Sequence, residues 1–165
     1  MTQQPKQPLT PKGYVAINKM LHTMFLTAMI GFAVVVSVLT DSWQIVLDFS
    51  DIFMIIVPIV AVSGLMLSRV VFNKQLETVQ SLTDLKSKME RYQTARLIMY
   101  ALIEGPALFA LVLFLNSENA FFLLIALGMI LYFIILKPTS HGVETDLHLT
   151  PAMRQQFRNQ NEAIL

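Results

Sequence analysis

The chain has 165 residues, 55% of them hydrophobic and only 14% charged, with a net charge of +1 and a mean hydropathy of +0.58. Soluble domains carry about 25% charged residues, so this balance points to a membrane protein. Cysteine is absent, which removes disulfides, thiolate metal sites and cysteine nucleophiles, and no basic stripe with interleaved aromatics marks a nucleic-acid surface.

A helix that crosses a bilayer needs about 20 apolar residues, and four runs supply such lengths. They cover about 17–39, 51–72, 95–115 and 119–136. The first run is longer than the apolar part of a secretory signal and has no small-x-small cleavage site, so it reads as a retained helix. The expected fold is therefore all-α: an integral membrane four-helix bundle with a tail over 1–16, a spanning region over 17–136 and a second tail over 137–165.

Charge sets the expected orientation. Lys6, Lys12 and Lys19 precede the first run. Arg69, Lys74, Lys86, Lys88, Arg91 and Arg96 lie in or beside the link between runs two and three, and Lys137, Arg154 and Arg158 follow the fourth. The other side carries Asp41, Asp48, Asp51 and Glu118 and no base. Basic residues in short loops stay cytoplasmic, which puts both termini and the middle link inside the cell, across a plasma (bacterial inner) membrane.

In the middle link, 73–94, the residues Leu76, Val79, Leu82, Leu85, Met89 and Tyr92 recur every three or four positions. That is the helical period, so the link reads as a helical hairpin extending spans two and three. Ser81 followed by Asp84 suggests an N-cap and a first-turn carboxylate.

Span three holds the most informative stretch, "YALIEGPALFALVLFL", in which Glu104 interrupts an apolar run and Gly105 and Pro106 follow at once. Intramembrane carboxyls are costly and are functional hypotheses by default. Counting from the ends of the runs puts Ser63 of span two and Thr27 of span one at the level of Glu104, so these three are the candidate ion- or solute-binding residues. Gly64 and Ser68, with Ala101 and Gly105, form two small-xxx-small pairs that let adjacent helices approach. Pro106 crowds the Leu102 carbonyl and removes a donor, which leaves a polar carbonyl near Glu104. Arg69 and Arg96 near the basic boundary are the available charge partners, and His22 is expected to face the interface.

The last segment opens with Pro138. Thr150 and Pro151 form a helix-start signal, predicting a short helix over about 151–160. His141, Glu144 and His148 have a spacing that superficially resembles a metal set, but Gly142 and the surrounding Thr and Asp residues argue against a helix there, and no metal site is expected.

Two resemblances attach to these residues. "ALIEGPALFALVLFL" resembles the ion-carrying helix of rotary ATP synthase subunit c, which implies a carboxyl that binds and releases an ion. Span two lacks the glycine repeat of that family. "YQTARLIMYALIEGPALF" and "LKPTSHGVETDLHL" together resemble an uncharacterised family of small four-span bacterial membrane proteins, a resemblance that covers most of the chain and implies no activity.

No GxSxG elbow, phosphate-binding loop, HExxH or dinucleotide fingerprint is present, so no enzyme activity and no cofactor are expected. Two functions stay open. One is handling or sensing of a proton, cation or small solute at Glu104. The other is a non-catalytic scaffold or accessory subunit acting through 73–94 and the C-terminal tail, with a second copy or a membrane-complex protein as partner beside the lipid bilayer.

Overall fold

The computed structural model describes residues 10–159, so Lys6 of the N-terminal charge group lies outside the described residues. Six helices follow in order: α1 Pro11–Leu39, α2 Phe53–Gln80, α3 Leu85–Ser117, α4 Ala120–Ile135, α5 Ser140–Asp146 and α6 Pro151–Arg158. The described chain is all-helical and contains no strand, only one isolated bridge between Gln44 and Asn119.

Three helices, α1, α2 and α3, are long and apolar enough to cross a membrane. The fourth apolar run forms a helix of 16 residues, about 24 Å at 1.5 Å per residue. It reaches spanning length only if joined to α5, from which it is bent by 84°. The outer surface suits lipid: Val34, Val35 and Val38 of α1, Ile59, Val62 and Met66 of α2, and Leu131 and Ile135 of α4 are exposed. A soluble fold would bury such residues.

Local chemistry explains most helix ends. Thr10 accepts from the Gly13 N–H (3.1 Å) and Pro11 occupies the first turn, so α1 starts six residues before the expected span. The link between α2 and α3 corrects the expected cap: Ser81 closes α2, and Asp84 opens α3 by accepting from the Ser87 N–H at 2.8 Å. Hydrogen bonds from Ser87 hold the Asp84 carboxyl below its ordinary range. At the opposite end, Glu118 closes α3 in the left-handed region (φ 56) and Asn119 caps α4.

α3 is the central helix, packing against α1, α2 and α4. Its buried residues Met99, Ile103, Ala107, Ala110 and Phe114 meet Met29 and Val36 of α1, Val57 and Ala61 of α2, and Ala126, Met129 and Phe133 of α4. Full burial of an aliphatic side chain is worth about 1.5–3 kcal/mol, so this stripe dominates the bundle's cohesion.

A second core lies at the basic end. Tyr14 and Val15 of α1, Val79 of α2, and Leu85, Met89 and Tyr92 of α3 close around Val143, Leu147, Leu149 and Phe157 from the C-terminal segment. The expected tail is thus a folded cover. The helix expected to be absent near Gly142 exists as α5: the Gly142 N–H donates to the Thr139 hydroxyl (3.0 Å), a Cβ at Gly142 would stand 3.1 Å from that oxygen, and Val143 and Leu147 are fully buried. Tertiary burial outweighs the weak helix propensity of one glycine.

Candidate functional site

Glu104 is half-buried on α3, and its carboxyl makes no hydrogen bond or ion pair within the described residues. Against the next turn of α3, Gly64 of α2 packs so closely that a Cβ there would lie 2.7 Å from Pro106 Cγ and 2.8 Å from the Leu102 carbonyl oxygen. The carbonyl that Pro106 deprives of its donor is therefore covered by the glycine backbone.

The hydroxyls expected to complete the site make no hydrogen bond with the carboxyl: Ser63 and Thr27 are exposed on their helices. Gly64 and Ser68 are buried as the small-pair reading requires, but Ala101 and Gly105 are exposed, and a Cβ on Gly105 would meet nothing within 4 Å. Consequently α2 meets α3 through Gly64 on Pro106, and the second small pair takes no part in that contact.

Neither arginine is paired with Glu104. Arg69 donates to the Tyr132 hydroxyl (2.7 Å), with its guanidinium 5.5 Å from the ring centre. Arg96 is buried and turned toward the basic end. It donates to the Tyr92 hydroxyl (2.9 and 2.7 Å), the Leu136 carbonyl (3.2 Å) and Asp146 (3.4 Å), and lies over the rings of Phe72 and Tyr92. Tyr92 in turn donates to Asp146 at 2.7 Å. A long arginine wins burial here because one hydroxyl, one carbonyl, one carboxylate and two ring faces replace its water.

Tyr92, Arg96, Tyr100 and Glu104 are spaced four residues apart, so they form a polar file along α3, rising about 6 Å per step. Tyr100 is buried between Arg96 and Glu104, and its hydroxyl makes no well-formed hydrogen bond. Its ring packs on Phe133 (5.0 Å) and His22 (5.5 Å). His22 lies inside the bundle, stacked on Phe133, with Nε2 3.0 Å from the Phe133 carbonyl oxygen. The expectation that it faces the interface is corrected: His22 is buried, and the Phe133 carbonyl near the end of α4 is its hydrogen-bond partner. The four-residue spacing was visible in the chain; the inward turn of Arg96 was not, because Asp146 comes from a distant segment.

Glu144 is held by Arg154 (2.9 Å) and Arg158 (3.0 Å), and Nδ1 of His148 lies 3.3 Å from the Gln80 amide. Among the described residues no three His, Asp or Glu side chains converge.

Fold and site together define an all-helical protein with three helices, and up to four spans, fit to cross a membrane. No protein-family model, no curated protein and no solved structure matches the chain.

Proposed function

We propose that the chain is a four-span protein of the bacterial inner membrane, with both termini cytoplasmic, whose working group is the Glu104 carboxyl and whose substrate or signal is the proton. Membership in the family of small four-span bacterial membrane proteins is part of this proposal. The orientation rests on the segregation of all twelve Lys and Arg residues from Asp41, Asp48, Asp51 and Glu118.

The observation that carries the functional reading is a carboxyl inside a spanning helix with no partner among the described residues, one helical turn from Tyr100, a buried hydroxyl that makes no well-formed hydrogen bond. A carboxyl among acyl chains is far cheaper neutral than ionised. A proton changes its state without further ligands, whereas a bound cation needs several oxygens, and neither Ser63 nor Thr27 is hydrogen-bonded to Glu104. The protein acts without catalysis.

What weighs against the scaffold reading is that the hairpin residues Leu85 and Met89 are already covered by Val143 and Leu147. The test is labelling of purified protein with dicyclohexylcarbodiimide across pH, with Glu104→Gln as control. Labelling at Glu104 that falls as pH rises supports a titrating, accessible carboxyl. Absence of labelling at every pH means a carboxyl locked in the bundle and rejects the proposal.

A further inference from the structure

The connection between α1 and α2, residues 41–52, is too apolar for a loop in water. Trp43, Ile45, Leu47, Phe49 and Ile52 are each between 57% and 69% exposed. The segment is nevertheless fixed. The Gln44 N–H donates to the Glu118 carbonyl (3.3 Å) and its carbonyl accepts from the Ala120 N–H (2.8 Å). The Asn119 side chain clasps Val46 on both sides, accepting from its N–H (3.3 Å) and donating to its carbonyl (2.7 Å). Ser42 donates to the Glu118 carboxylate, and the Trp43 ring meets Phe114 edge-on at 5.7 Å.

Backbone pairing alternates along this stretch. Gln44 and Val46 spend their backbone groups on the α3–α4 turn, while the N–H and C=O groups of Ile45 and Leu47 make no hydrogen bond within the described residues. Those backbone groups require water or lipid headgroups, because hydrocarbon cannot satisfy them. Their side chains require acyl chains. Only the boundary layer of a bilayer supplies both, and it is the layer where tryptophan concentrates. Exposed apolar residues also flank the segment on both sides, Val38 and Leu39 of α1 and Phe53 and Ile55 of α2. Asp48 and Asp51 turn back onto the chain, accepting from the N–H groups of Ser50 (2.9 Å) and Phe53 (3.0 Å).

We propose that residues 41–52 are an in-plane strap, lying along the headgroup–acyl boundary at the acidic end of the bundle, with the lipid itself as partner. This rests on the membrane placement and is independent of any chemistry at Glu104. Trp43 is the single tryptophan of the chain, so the unaltered full-length protein reports on the strap directly.

The test reconstitutes the protein in phosphatidylcholine vesicles whose acyl chains carry bromine at a shallow or a deep carbon, and confirms by flotation that it is membrane-bound. The expected result is loss of Trp43 emission that is greater with shallow bromine than with deep. Emission unaffected by either lipid, from protein that floats with the vesicles, overturns the strap while leaving the membrane placement intact. Quenching that appears only on dilution in lipid also overturns it, by assigning the face to a second copy. Stronger quenching by deep bromine overturns the boundary position.

Discussion

Gly64 of α2 and Pro106 of α3 touch across the bundle so closely that no side chain fits between them: a Cβ at position 64 would lie 2.7 Å from the proline ring. Pro106 strips the Leu102 carbonyl of its helical donor, and the glycine backbone lies over that oxygen, a geometry in which a weak Cα–H···O contact forms.

Gly64→Ala therefore forces α2 and α3 apart, with an expected cost of about 1–3 kcal/mol as for other overpacked sites. Gly105→Ala and Gly128→Ala are the controls, since an added Cβ meets nothing within 4 Å at either position. Thermal unfolding in detergent should show a lowered midpoint for the first variant alone. Equal midpoints for all three would mean the close contact is not maintained.

Two tyrosines on the same file should respond oppositely to loss of the hydroxyl. Tyr92→Phe removes a donor to Asp146 and an acceptor for two Arg96 nitrogens, at an expected cost of about 1–3 kcal/mol for the groups left unpaired. Tyr100→Phe removes a buried hydroxyl that has no well-formed hydrogen bond, so stability should hold or rise. Denaturation midpoints of the two variants, compared side by side, decide this.

Asp146 fastens the C-terminal cover to Arg96. Asp146→Asn keeps the shape and removes the charge, which should loosen α5 and α6 and expose the Lys88–Leu147 contact (3.4 Å). Limited proteolysis between residues 137 and 159 should accelerate while the spanning helices stay intact. An unchanged cleavage rate would show that Val143, Leu147 and Phe157 hold the cover without the ion pair.

The start of α3 should be acid-sensitive. Hydrogen bonds from the Ser87 hydroxyl and N–H hold the folded-state pKa of Asp84 below the ordinary 3.8. Since the folded value is the lower one, the cap's contribution is present above the ordinary pKa and is lost as pH falls through the folded one. Protection of the Ser87 amide, measured against its intrinsic exchange rate at each pH, should therefore fall as pH drops through the lowered folded pKa of Asp84, and Asp84→Ser, which caps without titrating, should remove that pH dependence.

The chain by itself determined that several helices are long and apolar enough to cross a membrane, and where most of the helices lie. Apolar runs of bilayer length, the confinement of Lys and Arg to one end, and the Thr150–Pro151 start are local properties, readable without knowing what lies beside them. So was the spacing that aligns Tyr92, Arg96, Tyr100 and Glu104 on one helix. Only the tertiary structure decided what those residues face. Counting along the runs puts Ser63 and Thr27 at the expected depth of Glu104, but depth along a helix leaves its rotation open, and both residues are exposed with no hydrogen bond to Glu104. Arg96 and His22 turn inward because Asp146 and the Phe133 carbonyl of α4, remote in sequence, come to meet them. The helix over Gly142 has the same origin: burial of Val143 and Leu147 under residues dozens of positions away supplies the stability that local propensity withholds.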